Sequence, residues 1–296
     1  MPTDEMSYLS IGEVARRTGV NPITLRAWQR RFGLVVPART PKGHRLYSEA
    51  QVQQIVEIRH WLERGVAISK VKPLLEGSAY AEAAPVAEVD SDWAKLAQAL
   101  TQATLQLQAA ALQQRLDEAS SLYPQAVLLQ HLEQWLSLLR QQLAARIDGQ
   151  LLSSWLHHQL QQWLWWRAAK LLTQKAPSVL LCQLGGQPQW SEWLLTLSLV
   201  LGGYYPHVLG EIVNVETLQL LGERQPFCAV LLLPAASSSA KTVAQLNQLA
   251  QEIACPLLLG GEFAPLVSTS SAVFHLLQAD DDVCTVLQQL SGVSHG

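Results

Sequence analysis

Asn21-Pro22, with Thr18-Gly19-Val20 before it and Gly33 after it, constrains this chain more than any other stretch. Asparagine at an N-cap followed by proline at the first helical position is a strong helix start, because proline lacks only a donor that would be orphaned there and its fixed φ is already helical. Ser10, with Glu13 at the capping-box spacing, opens an earlier helix, whose apolar side is Ile11, Val14 and Ala15. Gly19 supplies the turn between the two and Gly33 the stop. In the second helix Leu25, Trp28 and Phe32 recur at i, i+3 and i+7 and mark a buried face, and the opposite face carries Ile23, Arg26, Ala27 and Arg30. A segment rich in turn residues and cations follows, with Pro37, Arg39, Thr40, Pro41, Lys42, Gly43, His44 and Arg45, anchored by Leu46 and Tyr47. Two helices at a tight turn followed by a basic hairpin predict a winged helix-turn-helix that reads DNA. Arg26 and Arg30 are expected at base edges or nearby phosphates, where a guanidinium can bind guanine bidentately. Arg16 and Arg17 are expected at phosphates, and Arg39, Lys42, His44 and Arg45 in the wing. Asn21, Thr24, Arg31 and Tyr47 are assigned to the same surface.

Charge supports this division. The chain has 296 residues and a formal net charge of −3, which by itself argues against nucleic acid. Residues 1–77, however, hold 12 Lys+Arg against 7 Asp+Glu, which leaves the remainder acidic. A basic head on an acidic body suits a DNA-binding module joined to a part that phosphate repels. After the hairpin, Ser48 caps a helix over Glu49 to Arg64, stopped by Gly65, and Ser69 is expected to start another.

These residues carry a resemblance. Tyr8-Leu-Ser-Ile-Gly-Glu-Val-Ala, Thr24-Leu-Arg, Gly33-Leu, Pro37 with Arg39, and Gly43-His44-Arg45 with Tyr47 resemble the DNA-binding domain of the MerR family. Leu25-Arg26-Ala27-Trp28-Gln29-Arg30-Arg31 resembles the branch with a cobalamin-type sensor domain, which includes light-sensing repressors and MlrA-type regulators of curli and biofilm genes. The resemblance implies a dimeric regulator on double-stranded promoter DNA, acting on RNA polymerase by twisting or bending a promoter.

The remaining organisation is read from composition and period. Residues 1–76 are the head, and residues 77–91, rich in alanine with Gly77, Ser78 and Pro85, have linker composition. Residues 92–175 predict a four-helix bundle, with helices near 92–105, 106–120, 125–147 and 151–173. Trp135, Trp155, Trp163, Trp165 and Trp166 crowd its last two helices, as packing residues or as a cap over a planar ligand. From residue 176 strands and helices alternate, which predicts a doubly wound, Rossmann-like parallel sheet of about five strands. The overall class is therefore multi-domain, α followed by α/β.

The second half resembles the cobalamin-binding domain, whose sheet carries an acidic residue, then a cobalt-coordinating histidine, then a glycine after its first strand. Counting back from Gly203 and Leu209-Gly210 puts these positions at Gly186, Pro188 and Ser191; sliding by one gives Gln187, Gln189 and Glu192. Neither register supplies a histidine. Of the light sensors' cap motif only His157 survives, beside His158. The expectation is a retained fold with no cofactor, cobalamin included. Two other readings of the body stay open: a functional cobalamin photosensor, and an interaction platform for signalling proteins. No enzyme motif stands up: Gly185-Gly186 lacks a following phosphate-loop lysine, and Asp280-Asp281-Asp282 suits a helix start better than a metal. Cys182, Cys228, Cys255 and Cys284 have no metal-ligand spacing and are expected reduced. A polar N-terminus and the lack of a long apolar run predict a cytoplasmic protein with no membrane partner.

Overall fold

The computed structural model describes residues 8–76, 91–173, 175–184, 190–211, 218, 226–234, 240–253, 255–261, 264, 274–277 and 281–291. The chain divides into two compact units, Met1–Leu156 and His157–Gly296. The linker stretch and the loops holding Gly186 and Pro188 fall largely or wholly outside the described residues.

The first unit opens on β1 (Leu9–Ser10), α1 (Ile11–Thr18) and α2 (Pro22–Phe32). Each helix has the cap its sequence demands. The Ser10 hydroxyl accepts from the Glu13 N–H at 3.2 Å, and Asn21 Oδ1 accepts from the Thr24 N–H at 2.9 Å. Gly19 and Gly33 close the two helices in the left-handed conformation, at φ 70° and 63°, which a side chain would strain. β2 (Ala38–Arg39) and β3 (Arg45–Tyr47) form a hairpin, and β3 also pairs with β1, giving an antiparallel sheet of order β1-β3-β2. α3 (Glu49–Glu63) starts with a full capping box between Ser48 and Gln51. α4 (Ile68–Leu75) begins one residue before the predicted start. Ala67 is its N-cap, and Ser69, inside the first turn, donates its backbone N–H to Asp92 Oδ2 at 3.2 Å. Burial of Ala67 and Ile68 fixes that start, where a sequence reader sees only the serine.

Three further helices complete this unit and a fourth leads out of it: α5 (Ser91–Leu105), α6 (Ala109–Leu122), α7 (Gln125–Ala144) and α8 (Gly149–Leu171). The second of these starts three residues later than expected, because Leu107 takes a left-handed φ of 54° and the Gln108 N–H reaches back to the Ala103 carbonyl at 2.8 Å. α5, α6 and α7 pack on one another through Leu100, Leu112, Leu116, Leu132 and Trp135. Trp93 stacks on His131 at 4.6 Å between centroids, with Tyr123 edge-on to both. The tryptophans divide: Trp135 and Trp163 are core, whereas Trp166 is exposed.

The second unit is a parallel sheet of order β5-β4-β6-β7-β8, from β4 (Ser178–Leu184), β5 (Tyr205–Glu211), β6 (Ala229–Pro234), β7 (Leu257–Leu259) and β8 (Phe274–Leu276). Strand residues alternate between two cores. Leu180, Cys182, Val230, Leu232, Leu257 and Leu259 pack with Leu246 and Leu249 of α10 (Ala240–Glu252). Val179, Leu181, Leu231 and Leu258 pack on the other face with Leu199 of α9 (Trp190–Leu201) and with Cys284 and Leu287 of α11 (Val283–Ser291). Helices therefore cover both faces, as the near-continuous apolar strands require.

α9 and α11 meet closely. A Cβ on Gly202 would stand 2.2 Å from Cys284 Sγ. Gly202→Ala is therefore expected to destabilise the unit by roughly 1–3 kcal/mol through overpacking. The shift would appear in the urea midpoint, and an unchanged midpoint would mean that α11 yields without cost. Asp282 accepts from the Thr285 N–H at 3.3 Å and so caps α11, which is the role expected for the acidic triplet. The four cysteines are free thiols, as expected, and burial pushes Cys182 and Cys284 up to about 12.

Candidate nucleic-acid interface

α2 is the element on which the predicted site depends. Trp28 is fully buried, and Leu25 and Thr24 lie inside with it. At about 100° per residue, Arg26, Arg30 and Ile23 fall on the far side of the helix. All three are exposed, Ile23 to 44%. Arg26 and Arg30 have no ion-pair partner among the described residues. Two guanidinium groups beside an exposed aliphatic tip can bind guanine edges and touch a thymine methyl. Ala27, expected on this face, is instead covered at 3% exposure, because it lies only about 100° from Trp28 on the flank of the buried side.

The hairpin sits beside this face. Its turn is held by the Thr40 N–H donating to the His44 carbonyl at 2.9 Å, the Gly43 N–H donating to the Thr40 carbonyl at 2.8 Å, and a left-handed Gly43. Arg45 Nε donates to Gln29 Oε1 at 3.0 Å and so ties β3 to the end of α2. Gln51 Nε2 reaches the Val36 carbonyl at 2.7 Å from α3. Arg39, Lys42 and His44 stand exposed around the turn. Neither glutamine was singled out by sequence reasoning, and only the capping spacing of Gln51 from Ser48 could have flagged one of them.

Other predicted contacts are placed differently. Arg16 pairs with Glu13. Arg17 makes a bidentate pair with Glu49, one bond at 2.8 Å, and that hydrogen bond holds the Glu49 carboxyl below its ordinary value. Both cations are exposed, so the pairs are open to exchange with phosphate. Asn21 caps α2 with its side-chain oxygen. Thr24 and Tyr47 are interior, and burial pushes the Tyr47 phenol up, so neither side chain is offered to a duplex. Thr24 lies on the Trp28 side of α2, and Tyr47 points inward by strand alternation, which a motif match does not register. Arg31 pairs with Glu118 on α6 at 2.8 Å.

Residues 9–78 match the family model described as MerR HTH family regulatory protein. The N-terminal segment is a MerR helix-turn-helix. It is 54% identical over 70 residues to the HTH-type transcriptional regulator MlrA of Escherichia coli K12, covering 24% of this chain and 29% of that protein. It is 38% identical over 65 residues to the HTH-type transcriptional repressor CarH of Myxococcus xanthus, covering 22% of each. The match thus spans less than a third of these relatives. Among solved structures, a cobalamin-binding protein from Desulfitobacterium hafniense aligns at TM-score 0.35 and 14% identity, over 66% of this chain and 98% of that one. A likeness at that level says nothing about what the second unit binds.

Gly186 and Pro188 lie outside the described residues, and Ser191 is half-buried in the first turn of α9. The strand ends Leu184, Pro234 and Leu259 are apolar and buried. Glu192 is buried, and burial raises its carboxyl. His207 lies within β5 with its ring against Tyr205 and Phe227. His157 is half-buried on α8, and burial, then His158, push its imidazole down. No group of three or more His, Cys, Asp or Glu among the described residues could hold a metal, and no described helix is long and apolar enough to cross a membrane.

Proposed function

We propose that this chain is a sequence-specific transcription regulator that binds promoter DNA through α2, with the β2–β3 hairpin acting as a wing. The observation that carries the reading is the exposed triad Ile23, Arg26 and Arg30 on the face of α2 opposite the buried Trp28. The close match to MlrA over the same residues supports it. A single head reads a half-site, so the protein works as a homodimer on a two-part operator. The body supplies the pairing surface, with α5–α8 as a four-helix bundle. By likeness to MlrA, the regulator is a cytoplasmic activator of curli or biofilm genes that works on RNA polymerase.

The second unit serves as an effector domain that no longer holds cobalamin through a histidine. Both possible registers of the lower ligand lack one. A colourless protein purified after growth with cobalamin agrees with this; a red, photosensitive one overturns it.

A genome-wide binding map of the full chain tests the main reading. Discrete promoter peaks sharing one two-part motif are expected; uniform or absent occupancy sinks it. Within the hairpin, Lys42→Ala should lower the salt slope of binding by about one unit while leaving sequence preference intact. An unaltered slope would remove Lys42 from the phosphate contacts.

A further inference from the structure

The motif match assigns Arg31 to the DNA surface, but the fold turns it elsewhere. Arg30 lies about 160° round α2 from Trp28, whereas Arg31 lies only about 60° round, on the side where α6 packs. There Arg31 Nη2 meets Glu118 Oε1 at 2.8 Å, and Arg115 meets Glu118 Oε2 at 2.8 Å. One turn further along α6, the Leu122 carbonyl accepts from the Trp28 indole N–H at 2.7 Å. Leu122 is the last residue of α6, so its carbonyl lacks a helical donor and the indole satisfies it. A further tie joins α4 to α5, where the Ser69 N–H donates to Asp92 Oδ2.

We propose that α6 is the positioning element of the DNA reader: it grips the back of α2 through Trp28–Leu122 and Arg31–Glu118, and Arg31 is a clasp rather than a phosphate contact. The inference rests on the reading of α2 as the DNA-reading helix. The geometry permits both functions together, because the clasped side of α2 is not the side carrying Ile23, Arg26 and Arg30. Burial pushes the Glu118 carboxyl up, but hydrogen bonds from Arg31 and then Arg115 outweigh it and keep it below its ordinary value, so the clasp is charged at neutral pH. A helix held this way cannot swivel independently of α6. Any movement of the body helices is therefore delivered to the angle at which α2 enters the groove.

The experiment uses the full chain in four forms: wild type, R31E, E118R and the R31E/E118R exchange. The DNA probe is a duplex carrying the strongest site from the wild-type binding map. R31E alone places two carboxylates together and should weaken binding on the order of tenfold, and the exchange should return the dissociation constant to within about twofold with an unchanged salt slope. If the exchange instead stays about tenfold weak, with a slope smaller by about one, Arg31 touches phosphate and the clasp assignment is wrong. R31Q and E118Q give a second readout without DNA. Because E118Q also releases Arg115, a clasp predicts that the double variant melts no lower than E118Q alone, whereas fully additive losses overturn it. A wild type with no discrete sites would defeat the DNA reading alone, since the melting cycle still decides the clasp.

Discussion

Trp28→Ala is expected to cost about 3–5 kcal/mol of stability in the first unit. Trp28 is fully buried, so truncation leaves a cavity on the inner side of α2 and also orphans the Leu122 carbonyl. Trp28→Phe separates the two losses. It keeps most of the volume and removes only the indole donor, which should cost about 1–3 kcal/mol. Chemical denaturation followed by far-ultraviolet circular dichroism reads both. Equal midpoints for wild type and Trp28→Ala would show that α2 is not held from behind. DNA binding should fall with stability in the alanine variant, because the groove face is presented only when the opposite face is seated.

Arg26→Ala should leave stability unchanged and reduce specific binding by roughly 1–3 kcal/mol, on the order of tenfold in affinity. The side chain is exposed and makes no ion pair among the described residues, so its removal opens no cavity and leaves no buried group unpaired. If it reads a base, footprints should broaden to sites differing at one position. Unchanged sequence preference with a reduced salt slope would reassign Arg26 to the backbone. This pattern contrasts with that expected for Lys42, where affinity falls evenly across sequences.

The two parts of the chain differ in how much their residues disclose. Helix starts and stops in the head are local chemistry: Ser10, Asn21-Pro22, Ser48 and the glycines at 19 and 33 act on neighbours within four residues, and each cap is formed as read. The strands of the second unit were legible because burial on both faces demands unbroken runs such as Val230-Leu-Leu-Leu233. The site was legible less evenly. Arg26 and Arg30 followed from helical period alone. For Arg31 the same period gives the side, about 60° from Trp28, but not the ion pair, because the partner lies 87 residues away in sequence and no pattern in α2 encodes the presence of α6. Thr24 and Tyr47 were misplaced for the same reason: a motif records residue types, whereas exposure is set by what packs against them. Ser69 shows that a good capping residue loses to two buried neighbours when the choice is between them.

The order in which the strands are made has a consequence for synthesis. β4 leaves the ribosome first and ends in the interior of the sheet between β5 and β6, while β8, on the far edge, comes almost a hundred residues later. Parallel pairing across such separations is slow, whereas the head, built from short-range contacts, can fold early. During that delay the leucine runs of β4, β6 and β7 are open edges seeking a partner. A chain released before Phe274 would keep β7 unpaired on one side, and its fate would be aggregation or proteolysis with an intact head still attached. Translational arrest in this stretch would therefore yield fragments that keep the helices α1–α8 with the sheet left incomplete.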